Sequence, residues 1–551
     1  MHLGLDVGGT HTDAVLIEKG KLVASYKAVT NHEDLLSSVT SALDEVTKKS
    51  TKNKIERISL STTLSTNAIV ENILEEVGVI VSSGPGIAPE NFGIGRFYVI
   101  DGSIDHRGTE IKKLDEQELK AAVTDLGKRN VKVFAAVTKF STRNPDQESL
   151  IAGNLSGIAD FTSQGHAISG ILSFPRRIAT AYFNSAVWRL HNRFADAIGE
   201  GIKKIGLGAG IFILKADGGT MPLARSRLMP VESILSGPAA SIMGIIALCD
   251  ISDDSIILDI GGTTTDIAIF ASGAPLIEKD GIPLASRPTL VRALKTRSIG
   301  IGGDSELRIE NGKVLAGPAR KGPSMADGGS VPTLIDALNV SGAISYRNKE
   351  NSLKGMQALA GRNNSDAKSI AAEAVEYAVG RIKGEVDAMI LEINEKPVYT
   401  IHEMLEGKKI TPKMVYVMGG PAKAMEKLLS SRFQLDVIVP KNYDVANAIG
   451  AALAKTTHEI ELFADTGKGV MLIPNIGIRE KVTQKYSLED AEKQAKKYFT
   501  DFMAKTGITL ADRDAEITES SSFKMVSGFY SSGRDIRVKC QVKPGVMEKI
   551  R

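Results

Sequence analysis

Short apolar runs broken by turn residues alternate with helical periodicities along most of this chain. Leu3–Leu5 and Ala14–Ile17 flank a Gly-Gly turn and predict a β-hairpin. Leu35, Leu36, Val39, Leu43 and Val46 then recur at helical spacing. Ile55–Leu60 and Val77–Ser82 read as strands on either side of a helix containing Asn67–Leu74. The alternation continues with a helix near Glu116–Leu126, strand Val131–Val137, a helix near Pro145–Gly157 and strand Ile168–Leu172. A long helical pattern from about Ile178 to Ile205 leads to strand Ile211–Lys215. A second series opens with Ile256–Leu258 and Ile267–Phe270, again around a Gly-Gly turn. A looser stretch over about 272–335, rich in Gly, Pro and Ser, follows it. Helical periodicity returns over Asp366–Leu391, with Ile370, Ala374, Ala378, Ile382, Val386 and Ile390 on one face. Strand Met414–Val417, a helix through Leu429, strand Asp436–Val439 and a small-residue helix over Ala446–Ala454 complete this series. Such alternation predicts an α/β fold. From about residue 465 the character changes. Helix Ser487–Lys505 and strands Ser521–Val526 and Ile536–Val542 predict a small appended α+β unit with no legible chemistry.

A length of 551 residues exceeds what one hydrophobic core serves, so two or more domains are expected. The 42% apolar and 24% charged residues are ordinary for a globular protein. With 68 Lys and Arg against 65 Asp and Glu, the formal charge of +3 gives no electrostatic case for a nucleic-acid partner. Cys249 and Cys540 are too few and too far apart for a disulfide framework or a zinc site, which suits a reducing cytosol. No basic-then-apolar leader is visible at the start. The charge-free run Ser233–Cys249 falls short of the roughly 20 apolar residues of a membrane span. Within it, Ser236-Gly237-Pro238 fits a helix entry, with Ser as cap and Pro in the first turn. A soluble cytoplasmic protein is expected, with no membrane and no nucleic-acid partner.

The strongest chemical signal is a repeat. Asp6-Val-Gly-Gly-Thr-His-Thr-Asp13 and Asp259-Ile-Gly-Gly-Thr-Thr-Thr-Asp266 sit at the two predicted hairpins. Glycines let the backbone bend sharply and approach a ligand, and successive N–H groups in such a turn form an anion-binding concavity. Gly8, Gly9, Thr10 and Thr12, with Gly261, Gly262, Thr263 and Thr264, are therefore candidate phosphate contacts. Asp6 and Asp259 cannot face phosphate directly, but can hold a divalent cation that bridges to it. Asp13 and Asp266 are candidates for supporting the hairpins. Gly419-Gly420-Pro421 follows an apolar run and precedes a helix, where backbone can lie flat against an adenine or ribose. The turn can also be a routine strand-to-helix connection. Thr62, Thr63 and Asn67 at a strand-to-helix junction can bind a polar ligand or merely cap the helix. Asp217-Gly218-Gly219 can be only a turn, and His11 reads as a surface or packing residue.

In combination these elements resemble the ATPase architecture of actin, Hsp70 chaperones and sugar kinases, over about residues 2–460. Further strings narrow the likeness. Thr62-Thr-Leu-Ser-Thr-Asn-Ala68, Asp217-Gly-Gly-Thr-Met221, Glu232-Ser-Ile-Leu-Ser-Gly-Pro-Ala-Ala240 and Gly300-Ile-Gly-Gly-Asp-Ser305 are similar to the hydantoinase A/5-oxoprolinase family. The resemblance implies two RNase H-like lobes around a nucleotide cleft. An N-terminal lobe with the first phosphate hairpin would span 1–175, an ATPase lobe with the second hairpin and the adenosine turn 176–465, and an α+β appendage 466–551. It further implies that Asp6 and Asp259 are the catalytic and metal-binding pair, for Mg²⁺ or Mn²⁺. Gly302, Gly303, Gly419 and Gly420 would join the ATP contacts, and Thr62, Thr63, Asn67, Ser236 and Gly237 would meet the substrate.

The activity implied is ATP-dependent hydrolysis of a cyclic amide, of hydantoin or 5-oxoproline type, through phosphorylation of the amide oxygen. A hydantoinase B-type second subunit and a homo-oligomeric assembly are implied partners. Two other readings stay open: a ketone-activating subunit of a carboxylase, and a nucleotide-switched binding or activator protein. The chain departs from the family in being short, in its tail, in His11 where an aromatic is usual, and at Gly322–Gly329.

Overall fold

A computed structural model describes residues 1–9, 11–31, 35–48, 54–278, 280–362, 364–395, 409–508, 510, 514–527 and 530–551. Its first sheet has six strands in the order Thr220–Pro222, Gly210–Leu214, Arg57–Thr62, His2–Val7, His11–Glu18, Lys21–Val29. His2–Val7 pairs antiparallel with His11–Glu18 and parallel with Arg57–Thr62, which in turn is parallel to Gly210–Leu214. The second lobe repeats the plan. Ser255–Ile260 pairs antiparallel with Thr265–Ala271 and parallel with Met414–Met418, and Asp436–Ile438 follows in parallel. Three antiparallel strands leading into parallel ones, twice, give the two RNase H-like lobes expected.

Both central strands are buried along their length, as parallel sheets covered on two faces require. The first lobe buries Leu3, Leu5, Ile58 and Leu60 against Val39, Leu43 and Val46 of helix Leu35–Thr47. The second buries Ile256, Leu258, Val415 and Val417 against helix Ala367–Asn394 through Ile370, Ala374, Ala378 and Ile382.

In the sequence between Arg57–Thr62 and Gly210–Leu214 the chain forms a separate four-stranded parallel sheet, ordered Phe161–Gln164, Val133–Thr138, Val77–Ser82, Arg96–Val99. The strand expected at Ile168–Leu172 is not there. Its slot is filled by Phe161–Gln164, where Ser163 bonds Ser185 and Asn184. The chain then turns through a short helix, Gly165–Ile168, over the buried Glu148–Arg177 pair, and Ile168 packs beside Phe174 and Ile178. The looser stretch forms short two-stranded ribbons, among them Leu307–Glu310 with Lys313–Ala316. The C-terminal unit is a five-stranded antiparallel sheet covered by helix Leu488–Lys505. Phe499, Ala495 and Met503 of that helix pack on Leu462, Ile536 and Val538. Among the described residues no helix is long and apolar enough to cross a membrane.

The two lobes meet at a pair of helices, Ser236–Leu248 and Ala446–Leu453. Small residues set how close they come. A Cβ on Gly244 would stand 2.2 Å from the Ala446 carbonyl oxygen, one on Gly450 2.0 Å from that of Ala240, and one on Gly4 2.0 Å from that of Ala448. Helix Ala446–Leu453 thus lies backbone-close to both the first central strand and its partner helix.

Candidate active site

The two repeats fold alike. In the first, Asp6 pairs with Asp13 and Val7 with Thr12, and Gly8 N–H donates to the His11 carbonyl at 3.0 Å. In the second, Asp259 pairs with Asp266 and Ile260 with Thr265, and Gly261 N–H donates to the Thr264 carbonyl at 2.9 Å. Thr10 lies outside the described residues. Thr12 is fully buried, its hydroxyl 3.0 Å from that of Thr30, which donates to the Gly8 carbonyl; it braces the loop.

Segment Gly300–Ser305 lies flush behind the second loop. Gly303 N–H donates to the Gly261 carbonyl at 2.9 Å and Asp304 N–H to the Gly262 carbonyl at 2.6 Å. A Cβ on Gly302 would stand 2.6 Å from the Gly262 carbonyl, so only glycine allows this approach. With those carbonyls tied back, the N–H groups of Gly262, Thr263 and Thr264 find no acceptor among the described residues. Unspent N–H groups in a tight turn form an anion site.

Across the cleft the two leading aspartates share a neighbour. Asp259 accepts from Ser241 Oγ at 2.6 Å and from Asn447 Nδ2 at 3.1 Å. The Asn447 amide also stands beside Asp6, a looser approach that favours its charged form. Burial, reinforced by Asp13 and Asp259, nevertheless pushes the Asp6 carboxyl up to about 7. Desolvation, then Asp259, pushes Asp266 up to about 7 as well. Asp13 is raised by burial against its ion pair with Lys27 at 2.8 Å, and senses Asp444 and Asp259. The cleft is therefore crowded with carboxylates that disfavour one another's charge.

Gly419 follows strand Met414–Met418 with a φ of +89°, where a Cβ would stand 2.7 Å from Asp259 Oδ1. It is thus packed on the second aspartate, while Gly420 faces open space. Gly303 abuts Pro421, so both Gly-rich segments border one side of the second hairpin. His11, at the first hairpin's tip, senses Lys27 and also Asp327 and Arg320 of the opposite lobe.

Of the expected substrate contacts, Ser236 is spent on the Thr62 backbone, and the Thr62 hydroxyl accepts from Leu64 N–H at 3.2 Å. Ser236 Oγ accepts from Thr62 N–H at 3.2 Å and donates to the Thr62 carbonyl at 2.8 Å, and both residues are buried. Ser236 is not the helix cap expected. Leu235 occupies that position in a left-handed conformation, its N–H on Thr66 Oγ1 at 2.9 Å. Thr63 precedes helix Leu64–Val70 without a side-chain capping bond, Gly237 lies beside it, and Asn67 is exposed. Asp217 is held by Lys215 at 3.1 Å and by Gly219 N–H at 2.9 Å, away from the hairpins. Asn447 and Ser241 escaped the sequence reading. The one signal for Asn447 was its being the sole polar residue in the run Ala446–Leu453.

Comparison with known proteins identifies the family. The profile of the hydantoinase/oxoprolinase N-terminal region matches residues 2–158, and that of hydantoinase/oxoprolinase matches residues 177–460. The α subunit of caprolactamase from Pseudomonas jessenii is 25% identical over 374 residues, covering 61% of this chain and 53% of that subunit. The acetone carboxylase β subunit of Xanthobacter autotrophicus is 23% identical over 512 residues, covering 82% of this chain and 69% of that one. This chain thus spans about half the length of the caprolactamase subunit. The crystal structure of the ATP-dependent caprolactamase from Pseudomonas jessenii superposes with a TM-score of 0.71 at 18% identity, over 98% of this chain and 87% of that one, which shows a shared fold. Matched by both profiles over most of its length, the chain belongs to the hydantoinase/oxoprolinase family.

Proposed function

We infer that this chain is the ATP-using part of an enzyme that opens a cyclic amide of the hydantoin or 5-oxoproline type. One observation carries the reading: Asn447 holds Asp259 at 3.1 Å while standing beside Asp6, so loops more than 250 residues apart face one another. Gly8, Gly9 and Thr10 from one side, and the free N–H groups of Gly262, Thr263 and Thr264 from the other, would hold the polyphosphate. Gly302, Gly303, Gly419 and Gly420 would border the adenosine.

The donor chemistry fits Mg²⁺ or Mn²⁺. Asp6 and Asp259 are hard oxygen ligands whose mutual repulsion a dication relieves. No three His, Cys, Asp or Glu side chains converge to hold a metal among the described residues, so phosphate oxygens and water would complete its shell. When bound, such an ion neutralises phosphate charge. Asn447 and Ser241 keep Asp259 oriented.

An amide oxygen is a poor leaving group. Transfer of the γ-phosphoryl group to it gives ADP and an imidate phosphate. Water then adds to the carbon, and the ring C–N bond breaks as the nitrogen leaves with a proton. The resulting acyl phosphate yields carboxylate and phosphate with a second water. The chain's share is positioning and charge stabilisation by backbone N–H groups. Thr63, Asn67 and Gly237 would face the substrate, and Thr62 and Ser236 would fix the helix entries that carry them. A cytoplasmic homo-oligomer with a hydantoinase B-type second subunit completes the reading, supported by relatives that are themselves subunits.

Phosphate release from the purified chain with ATP, with and without hydantoin, 5-oxoproline and caprolactam, tests it. At least one ring should stimulate release, and Asp6→Asn or Asp259→Asn should lower the rate about 100-fold or more with the fold intact. An unchanged rate in the double variant, or no response to any ring, refutes it. The similarity to acetone carboxylase covers more of the chain than that to caprolactamase, which favours ketone phosphorylation as the second reading. Bicarbonate-dependent consumption of acetone would select it.

A further inference from the structure

The turns that face one another across the cleft offer backbone N–H groups but little full positive charge. The charged groups that bear most on Asp6, His11, Asp13 and Asp266 are carboxylates apart from Lys27 and Arg320. Lys27 is engaged by Asp13 at 2.8 Å. Burial, then Lys27, lowers the pKa of His11, so its imidazole adds no charge at neutral pH. A polyphosphate carries more negative charge than one dication cancels, and a fixed cation commonly meets the remainder.

Arg320 is placed to do so. Its stretch of chain is fixed beside the Gly-rich segment behind the second hairpin. Glu306 N–H donates to the Ala319 carbonyl at 2.9 Å, and Gly317 N–H to the Glu306 carbonyl at 3.0 Å. The ion-pair partner of Arg320 is Asp304, whose own N–H sits on the Gly262 carbonyl of that hairpin. The pair is loose. Arg320 Nη2 and Nε both fall on Asp304 Oδ2, at 3.2 and 3.4 Å. A well-made arginine fork takes both carboxylate oxygens, at about 2.7–2.9 Å. Arg320 Nη1 has no partner among the described residues, and 34% of the side chain is exposed. Lys321, the next residue, is turned to Glu306 at 2.7 Å. From the first lobe His11 registers the Arg320 charge, which puts the guanidinium between the tip of one hairpin and the back of the other.

We propose that Arg320 is the phosphate-binding cation of the cleft, its guanidinium exchanging the single oxygen of Asp304 for the β- or γ-phosphate oxygens of a nucleotide held between the hairpins. The exchange costs little, since an exposed pair held by one oxygen contributes little. A planar fork with five donors matches a phosphate better than it matches one carboxylate oxygen. Asp304 then serves as the resting counterion that keeps Arg320 at the cleft when no nucleotide is present. The assignment rests on the nucleotide cleft of the proposed function and not on the choice of ring.

Calorimetry of the full chain with Mg²⁺ and adenylyl-imidodiphosphate or ADP tests it, with AMP measured by competition against the analogue. Arg320→Gln should weaken the analogue and ADP by at least about tenfold and AMP by no more than about twofold. Arg320→Lys, which keeps the charge but not the fork, should recover part of the loss. Lys321→Gln removes the same charge one residue along and should leave all three ligands within about twofold of the parent. An Arg320→Gln chain that binds the analogue as the parent does overturns the proposal, as does an equal loss for AMP or an equal loss in Lys321→Gln. Either result leaves the nucleotide cleft standing. A parent that binds no analogue removes the cleft and Arg320's part in it together. A parent that binds the analogue through Arg320 but answers to no ring removes only the cyclic-amide reading.

Discussion

Replacing Gly450 by alanine puts a methyl group 2.0 Å from the Ala240 carbonyl oxygen and 2.5 Å from the Gly244 nitrogen, both backbone atoms of the partner helix. To reach van der Waals separation the helices must part by roughly 1.5 Å. Overpacking of that kind costs about 1–3 kcal/mol, and alanine returns about 1 kcal/mol through helix propensity. The same displacement carries Asn447 away from Asp259, stretching a 3.1 Å bond to a charged group worth about 1.5–3 kcal/mol. The net loss is about 1.5–5 kcal/mol, to be read from urea unfolding of Gly450→Ala beside the parent. Gly384→Ala is the matched control. It lies exposed in helix Ala367–Asn394 with nothing within 4 Å of its would-be Cβ, so it should stabilise by up to about 1 kcal/mol. If Gly450→Ala is as stable as Gly384→Ala, the close approach of the helices is wrong, and with it the placement of Asn447.

Asn447→Leu keeps the side-chain volume but removes the amide between the aspartates. ATP affinity should fall at least tenfold by calorimetry, and an unchanged affinity would detach Asn447 from the site. Chelation with excess EDTA should abolish ATP turnover, and Mg²⁺ or Mn²⁺ should restore it; turnover that survives EDTA removes the metal from the reading. Burial, first, pushes the Glu461 carboxyl up to about 7, so the folded chain holds that proton more tightly than the unfolded one, whose value is 4.5. Its contribution to stability is therefore full below about pH 4.5 and is lost as pH rises through about 7, by about 3–3.5 kcal/mol at most. Glu461→Gln should flatten that slope between pH 5 and 8 in chemical unfolding, and a slope identical to the parent's would contradict it.

The hairpins were legible because everything that makes them is local: two glycines, flanking apolar strands, and aspartates in register across each turn. The small-residue helix was legible for the same reason. The role of Asn447 was not, since its partner Asp259 lies 188 residues away. Nor could sequence show that Ser236 would close on Thr62, 174 residues off, instead of capping its own helix. The apolar run Ile168–Leu172 misled because hydrophobic content says that a segment is buried, not that it pairs. Here polar Thr162, Ser163 and Gln164 take the strand position, satisfied by Ser185 and Asn184. The C-terminal unit carried no chemical signal on its own.

The joint made by Gly4, Gly244 and Gly450 is main chain lying against main chain, with no long side chains to slide past one another. Such a joint works as an axle. Pulling the lobes apart breaks every contact at once, while a twist about the crossing point preserves most of them. The joint therefore resists separation of the lobes more than it resists a twist about the crossing point, and Asn447, one helical turn from Gly450, turns with it.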